Sequence, residues 1–281
     1  MTSLRANNLL MLAALLTLAP TACAAAGSAL PPQHLAHPAP VTTSSPVPVP
    51  VSYRFHARVL ERLPSDRADA RGLELAGSAL VENTGRTIRT VAPDTGAVLA
   101  QRPAPAEPST SGIALTPAGL WHLSAGFTIL RDPGTLAERR RGPASHETWG
   151  LCHDGTHLVQ SDGTTRLLLR DRDTADLVGE VGLTSREWGA ARLGELHCVT
   201  ADGRPQVWAV VTGTDWMIRA DLATGLVTAV ADLTAVTVAE QPTGVDEVIG
   251  GVAAVAGSAD ELWLTGRHYG HRYRIKLQPQ L

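Results

Sequence analysis

Short apolar runs opened by a glycine and an aliphatic residue recur along the chain: Gly72-Leu73, Gly112-Ile113, Gly150-Leu151 and Gly251-Val252, with Glu195-Leu196 as an imperfect copy. The aliphatic members stand 40, 38, 45 and 56 residues apart. Each run is followed by turn residues and then by another strand-like run. A period near 40 residues with several strands per period is how the blades of a β-propeller look in sequence. The expected fold is therefore all-β, a five-bladed β-propeller. Turns fall on the same schedule at Pro93-Asp94-Thr95-Gly96, Asp132-Pro133-Gly134-Thr135, Asp171-Arg172-Asp173-Thr174 and Asp221 to Gly225. Asp opens such turns by bonding nearby backbone, and Gly accepts positive φ. Ahead of the first repeat, Val51 to Leu60 alternates, with Tyr53, Phe55, Ala57 and Val59 on one face. This strand is expected to join the last strand, near Tyr269 to Leu277, and close the ring. Residues 232–248 are a long insertion before the fifth repeat and are expected to be a short helix or irregular.

The N-terminal stretch has a different character. Arg5, an apolar run from Leu9 to Ala19 and then Pro20-Thr21-Ala22-Cys23 form a signal peptide over residues 1–26. The apolar run is too short to span a bilayer stably. Cys23 after small residues resembles a bacterial lipobox, in which the cysteine is acylated; an ordinary cleavage near Ala22 to Ala26 is the alternative. Residues 27–51 are uncharged and rich in Pro, Ala, Val, Ser and Thr, a semi-rigid linker. Residues 52–281 are then one globular domain. The expectation is an exported, extracytoplasmic protein with a possible membrane tether through lipidated Cys23.

The formal net charge is −3, and the basic residues are scattered apart from Arg139-Arg140-Arg141, which reads as a solvated turn. No nucleic-acid partner is expected. Cys152 lies one residue after Leu151 and Cys198 two after Leu196, so alternation sends them to opposite strand faces, which argues against a disulfide. No spacing of His, Cys, Asp or Glu suggests a metal site.

Several segments resemble the plant and bacterial glutamine cyclotransferases. Thr148-Trp149-Gly150-Leu151 with Asp154-Gly155 and Ser161-Asp162-Gly163 is similar to that family's "GWGL…DG…SDG". Leu193-Gly194-Glu195-Leu196 resembles "LNEL", Thr214-Asp215 and Asp221 to Gly225 resemble "TD…D…TG", and Leu262 to Arg267 resembles "LFVTGK". Arg71-Gly72-Leu73-Glu74 stands where the family has "TQGLE", and Val81 to Gly85 where it has "YESTG". The resemblance covers most of residues 52–277, more loosely in the N-terminal half. It implies a five-bladed propeller that cyclises N-terminal glutamine to pyroglutamate with loss of ammonia. It implies no metal and no cofactor, and a peptide or protein N-terminus as partner.

On this resemblance Glu82 is the catalytic candidate, since it matches the carboxylate of "ESTG". Trp149 would line the substrate mouth; otherwise it is a core aromatic. Arg267 replaces a lysine, which preserves a positioning role but not a proton relay. Arg71, Ser111, His122 and Glu195 stand at further substrate-binding positions. With Glu82 and Arg267 on the first and last repeats, the two side chains are expected to face each other across one mouth. Several polar positions are lost: Gly194 and Gly250 replace asparagines, and Val210, Thr212 and Gly213 replace Asn, Trp and Gln. Half-emptied polar networks lose much of their value. Two functions therefore remain: a glutaminyl-peptide cyclotransferase, or a catalytically weak or inactive propeller that binds a peptide or protein on its upper face. A metal-centred propeller lactonase would need carboxylate and Asn ligands where this chain has Gly, Ser, Arg and Ala.

Overall fold

A computed structural model describes residues 53–104, 111–185 and 187–280; the residues read above as signal peptide and linker, with Cys23, lie outside them. Among the described residues the fold is all-β with one short helix. After β1 (Tyr53–Pro64) come three four-stranded antiparallel sheets. The first contains β2 (Gly72–Ala76), β3 (Ala79–Asn83), β4 (Thr87–Val91) and β5 (Val98–Pro103). The second contains β6 (Ser111–Thr116), β7 (Gly119–Ser124), β8 (Phe127–Arg131) and β9 (Glu138–Pro143). The third contains β10 (Gly150–His153), β11 (His157–Ser161), β12 (Arg166–Asp171) and β13 (Leu177–Gly182). An eight-stranded sheet holds the rest: β14 (Leu193–Ala201), β15 (Arg204–Val211), β16 (Trp216–Asp221), β17 (Val227–Asp232), β18 (Ile249–Ala254), β19 (Glu261–Gly266), β20 (His271–Pro279) and β1. Helix α1 (Thr234–Glu240) occupies the 232–248 insertion.

The alternating strand ahead of the first repeat pairs as its pattern suggests. β1 runs antiparallel to β20 from Phe55↔Pro279 to Pro64↔His271. It also runs parallel to β17, from Tyr53↔Ala229 to His56↔Asp232, a second partner that alternation alone does not specify. One N-terminal strand thus joins β14–β17 to β18–β20. Ala57 and partly buried Phe55 and Val59 pack into the apolar cluster there, while Tyr53 is exposed.

The first strand of each group explains the recurring glycine. β2, β6, β10, β14 and β18 pack in a closed cycle, each on the next and β18 back on β2. A Cβ on Gly112 would come within 2.7 Å of Leu151 backbone, and one on Gly251 within 2.9 Å of Leu73 Cβ. Only glycine permits this approach. The aliphatic partner of each pair then fills the seam between neighbouring sheets.

The Asp-led turns close as their composition requires. Asp132 Oδ1 accepts from the Gly134 and Thr135 backbone N–H and from Thr135 Oγ1. Asp171 and Asp221 cap their turns in the same way. The Arg139-Arg140-Arg141 run is not a turn but part of strand β9.

Cys152 and Cys198 form a disulfide, with Cα atoms 5.5 Å apart, against the alternation argument. That argument compares equivalent strands of two repeats. Neighbouring sheets, however, meet front to back. A side chain leaving the forward face of β10 therefore meets one leaving the rearward face of β14, and opposite phase is what brings the two sulfurs together. Both cysteines join one seam cluster with Leu193 and Leu196.

Candidate functional site

Each group of strands begins its first strand at the same end of the central ring, so Arg71, Ser111, Trp149 and Gly250 gather there. β3 returns antiparallel to β2, which puts Leu73 opposite Glu82 and Gly72 opposite Asn83. Glu82 is therefore one residue below the rim. It is fully buried, and both oxygens are engaged. Oε2 accepts from Arg89 Nε at 2.7 Å, with Arg89 Nη2 2.5 Å away. Oε1 accepts from Thr265 Oγ1 and Arg272 Nη2, each at 3.4 Å. Arg89 comes from β4 and continues to Asp66, while Thr265 and Arg272 come from β19 and β20. The carboxylate thus bridges the first and last groups of strands.

The strand register places this residue in a series. The positions opposite Leu73, Ile113, Leu151, Leu196 and Val252 are Glu82, His122, Gln160, Ala209 and Leu264. Three of the five are buried polar groups bonded within or across a seam. Gln160 Nε2 donates to Thr148 Oγ1 at 2.9 Å and to the Glu147 carbonyl. His122 Nε2 accepts from Asn83 Nδ2 at 3.3 Å, and its Nδ1 has no hydrogen-bond partner among the described residues. Burial, helped by Arg131 and Arg141, pushes the His122 pKa down to about 3, so the ring is neutral. His122 is a seam residue held against Asn83 rather than an open binding group.

Arg267 does not face Glu82. Its Nε donates to Asp69 Oδ1 at 2.9 Å, and Arg71 Nε donates to Asp69 Oδ2 at 2.8 Å. Arg71 and Arg267 thus share one half-buried carboxylate at the rim. The reason is the segment before β2: Ala70 lies against Gly250, and a Cβ on Gly250 would overlap the Ala70 carbonyl oxygen. Backbone therefore packs directly on Gly250 and carries Asp69 to Arg267.

Trp149 enters β10 half-exposed and outside every apolar cluster. Its ring packs on Gly163, where a Cβ would come within 2.6 Å, and Arg192 lies over it at 4.6 Å. Its Nε1 donates to Glu147 Oε2 at 3.1 Å. Trp149 is therefore partly exposed and packed against polar and glycine neighbours rather than within an apolar cluster. Ser111 opens β6 opposite Ser124.

Glu195 is placed differently again. It is buried, and neither oxygen has a hydrogen-bond partner among the described residues. A Cβ on Gly72 would lie 3.6 Å from its Oε2, so the carboxyl occupies the space enclosed by the first strands. Glu74 enters the same space and accepts from Leu75 N at 3.0 Å and Leu115 N at 3.2 Å. Burial drives the Glu74 pKa up to about 7 and Glu195 well above the carboxylate range, with Glu74 adding to the latter. The Leu196 and Leu151 amides temper the Glu195 shift from positions too poor for a hydrogen bond. Glu74 keeps partial exposure in this channel, which reduces the shift without changing its sign.

A raised folded-state pKa gives stability that is full below the unfolded value, near 4.3, and is lost as pH rises through the folded value. Native stability is therefore expected to fall between about pH 4.5 and 7 for Glu74, with Glu195 extending the loss upward. Denaturation midpoints across that range should flatten in Glu74→Gln; a slope unchanged by the substitution would show that Glu74 ionises elsewhere than in the channel.

Arg89, Asp69, Thr265, Arg272 and Glu74 were not among the residues singled out from sequence. Only Arg89 had a local signal, because the short turn after Asn83 sets it opposite Glu82.

The profile of the glutamine cyclotransferase family matches residues 34–277. The chain belongs to the glutamine cyclotransferase family. Among solved structures it is similar to the glutaminyl cyclase of Myxococcus xanthus, with TM-score 0.72 and 26% identity over 82% of this chain and 100% of that one. The Cps50 (Swd1) β-propeller domain of Myceliophteria thermophila scores 0.45 at 10% identity, covering 79% of this chain and 100% of its own. The Pan2 WD40 domain of Neurospora crassa scores 0.43 at 10% identity, covering 75% and 76%. Neither of these two bears on function. No curated protein sequence matches the chain.

Proposed function

We propose that this glutamine cyclotransferase family member is a five-bladed propeller that takes a peptide N-terminus at the Arg71–Trp149–Arg267 rim and cyclises N-terminal glutamine. The blade count rests on dividing the eight-stranded sheet into β14–β17 and β18–β20 with β1, fused where β1 meets β17. In the reaction the α-amine attacks the side-chain carboxamide carbon. A C–N bond forms, the C–NH2 bond breaks, and the proton lost by the attacking nitrogen goes to the departing ammonia. Glu82 would relay that proton, and holding amine and amide together on one chain supplies much of the rest.

The observation that carries this reading is the buried carboxylate of Glu82, one residue below the rim, at the position the family resemblance gives to its carboxylate. Incubation with a Gln-initiated dipeptide while assaying ammonia tests it, and absence of ammonia sinks it. A second reading has its own support. Glu82 is fully buried and both oxygens already accept donors, so a substrate amine must displace or join them. That favours a propeller that binds a peptide amino terminus at the rim with weak turnover or none.

Export is part of the same proposal, with acylation of Cys23 as tether. The Cys152–Cys198 bond supports it, since cystines persist in oxidising compartments. Labelling with a radioactive fatty acid is expected to mark the wild-type chain and to be lost in Cys23→Ala. Equal labelling of both would remove the lipid anchor from the account.

A further inference from the structure

A half-open cavity of about 400 Å³ lies at the seam between the β6–β9 and β10–β13 sheets, on a different seam from Glu82. Two guanidiniums enter it from opposite walls. Arg140, exposed on β9, lies over Trp121 at 5.1 Å, and its Nη2 donates to the Asp173 carbonyl at 2.5 Å. Arg170 on β12 is 3% exposed. Its Nε donates to Gln160 Oε1 and its Nη1 to the Ala175 carbonyl at 2.8 Å. Its Nη2, on the cavity side, has only 3.5 Å contacts with Ser145 Oγ and His146 Nδ1. Neither arginine forms an ion pair among the described residues. Arg141 also borders the cavity, but its guanidinium lies over Phe127 and pairs with Glu138. One carboxylate, Asp176, stands in the lining.

Part of this is architecture. Arg131, at the corresponding place in the preceding sheet, donates in the same way to the Leu136 carbonyl at 3.0 Å. That accounts for Nη1 of Arg170 but not for Nη2. A buried guanidinium without counter-charge is costly, and burial pulls Arg170 below the usual arginine range despite Asp176. An anion in the cavity would remove the cost. Two forks from opposite walls suit a tetrahedral oxyanion with several acceptors; a planar carboxylate is satisfied by one.

We propose that this cavity binds a small organic phosphate, gripped between Arg140 and Arg170. The Thr128 and Ser145 hydroxyls supply further donors, and Pro143 and Leu177 border its carbon body. Titration calorimetry on the folded protein with glycerol 1-phosphate, inorganic phosphate and acetate tests this. One saturable site is expected, tightest for the ester, and Arg140→Ala should weaken it roughly 10- to 100-fold, the size of a lost charged hydrogen bond. Arg140 is exposed, so this variant should keep the wild-type melting temperature; Arg170→Lys serves as a second variant once its melting curve matches. No saturable binding, binding unchanged in Arg140→Ala, or acetate equal to phosphate would overturn the site. Inorganic phosphate binding as tightly as the ester would overturn the organic part and assign free phosphate.

Discussion

Glu82→Gln is expected to abolish ammonia release from a Gln-initiated dipeptide and, separately, to lower native stability by about 3–5 kcal/mol. The two effects have different origins. A positioned acid–base group contributes about 10²- to 10⁴-fold to a rate, and Gln cannot carry a proton between two nitrogens. The stability loss comes from Arg89 and Arg272. Both are buried, and Glu82 is the carboxylate that bridges them. Removing its charge leaves Arg89 with Asp66, at its far end, and Arg272 with no ion-pair partner among the described residues. Arg272 Nε and Nη1 have no hydrogen-bond partner even in the wild type. Activity measured below the variant's own melting temperature separates the two effects. Loss of stability with turnover intact would confine Glu82 to the seam. Loss of turnover with stability intact would show that the two arginines do not depend on it.

Breaking the Cys152–Cys198 bond is expected to cost about 4 kcal/mol, the loop-entropy value for a separation of 46 residues. The bond links β10 to β14, the first strands of two neighbouring sheets, inside the apolar seam that includes Leu193 and Leu196. Without it the seam between those strands keeps its apolar packing and the hydrogen bond from Ser161 Oγ to the Gly194 carbonyl, but no covalent link. Guanidinium unfolding with and without reductant, and of the double Cys152→Ala/Cys198→Ala variant, measures the effect. The midpoint should fall in both cases; a midpoint unmoved by reductant would mean that the cystine contributes nothing to the native state.

The features legible in the amino-acid order are those that depend on neighbours along the chain. Alternation at Tyr53 to Val59 specifies a strand, and Asp132, Asp171 and Asp221 specify turns, because each of those bonds closes within three residues. The Gly-aliphatic period is legible for the same reason: each copy answers a local demand, a glycine where the next first strand presses close. The short turn after Asn83 even sets Arg89 opposite Glu82. The tertiary structure alone decided what meets across a seam. Arg272 reaches Glu82 from 190 residues away, and Asp69 draws Arg267 from 198. No local pattern marks either partner, because the free energy of a buried ion pair is set by distance and desolvation in space, not by spacing in the chain. The same holds for the cysteines. Their phase along each strand was readable, but whether opposite phase separates or joins them depends on two sheets meeting front to back, and that is a property of how the repeats are arranged around the ring.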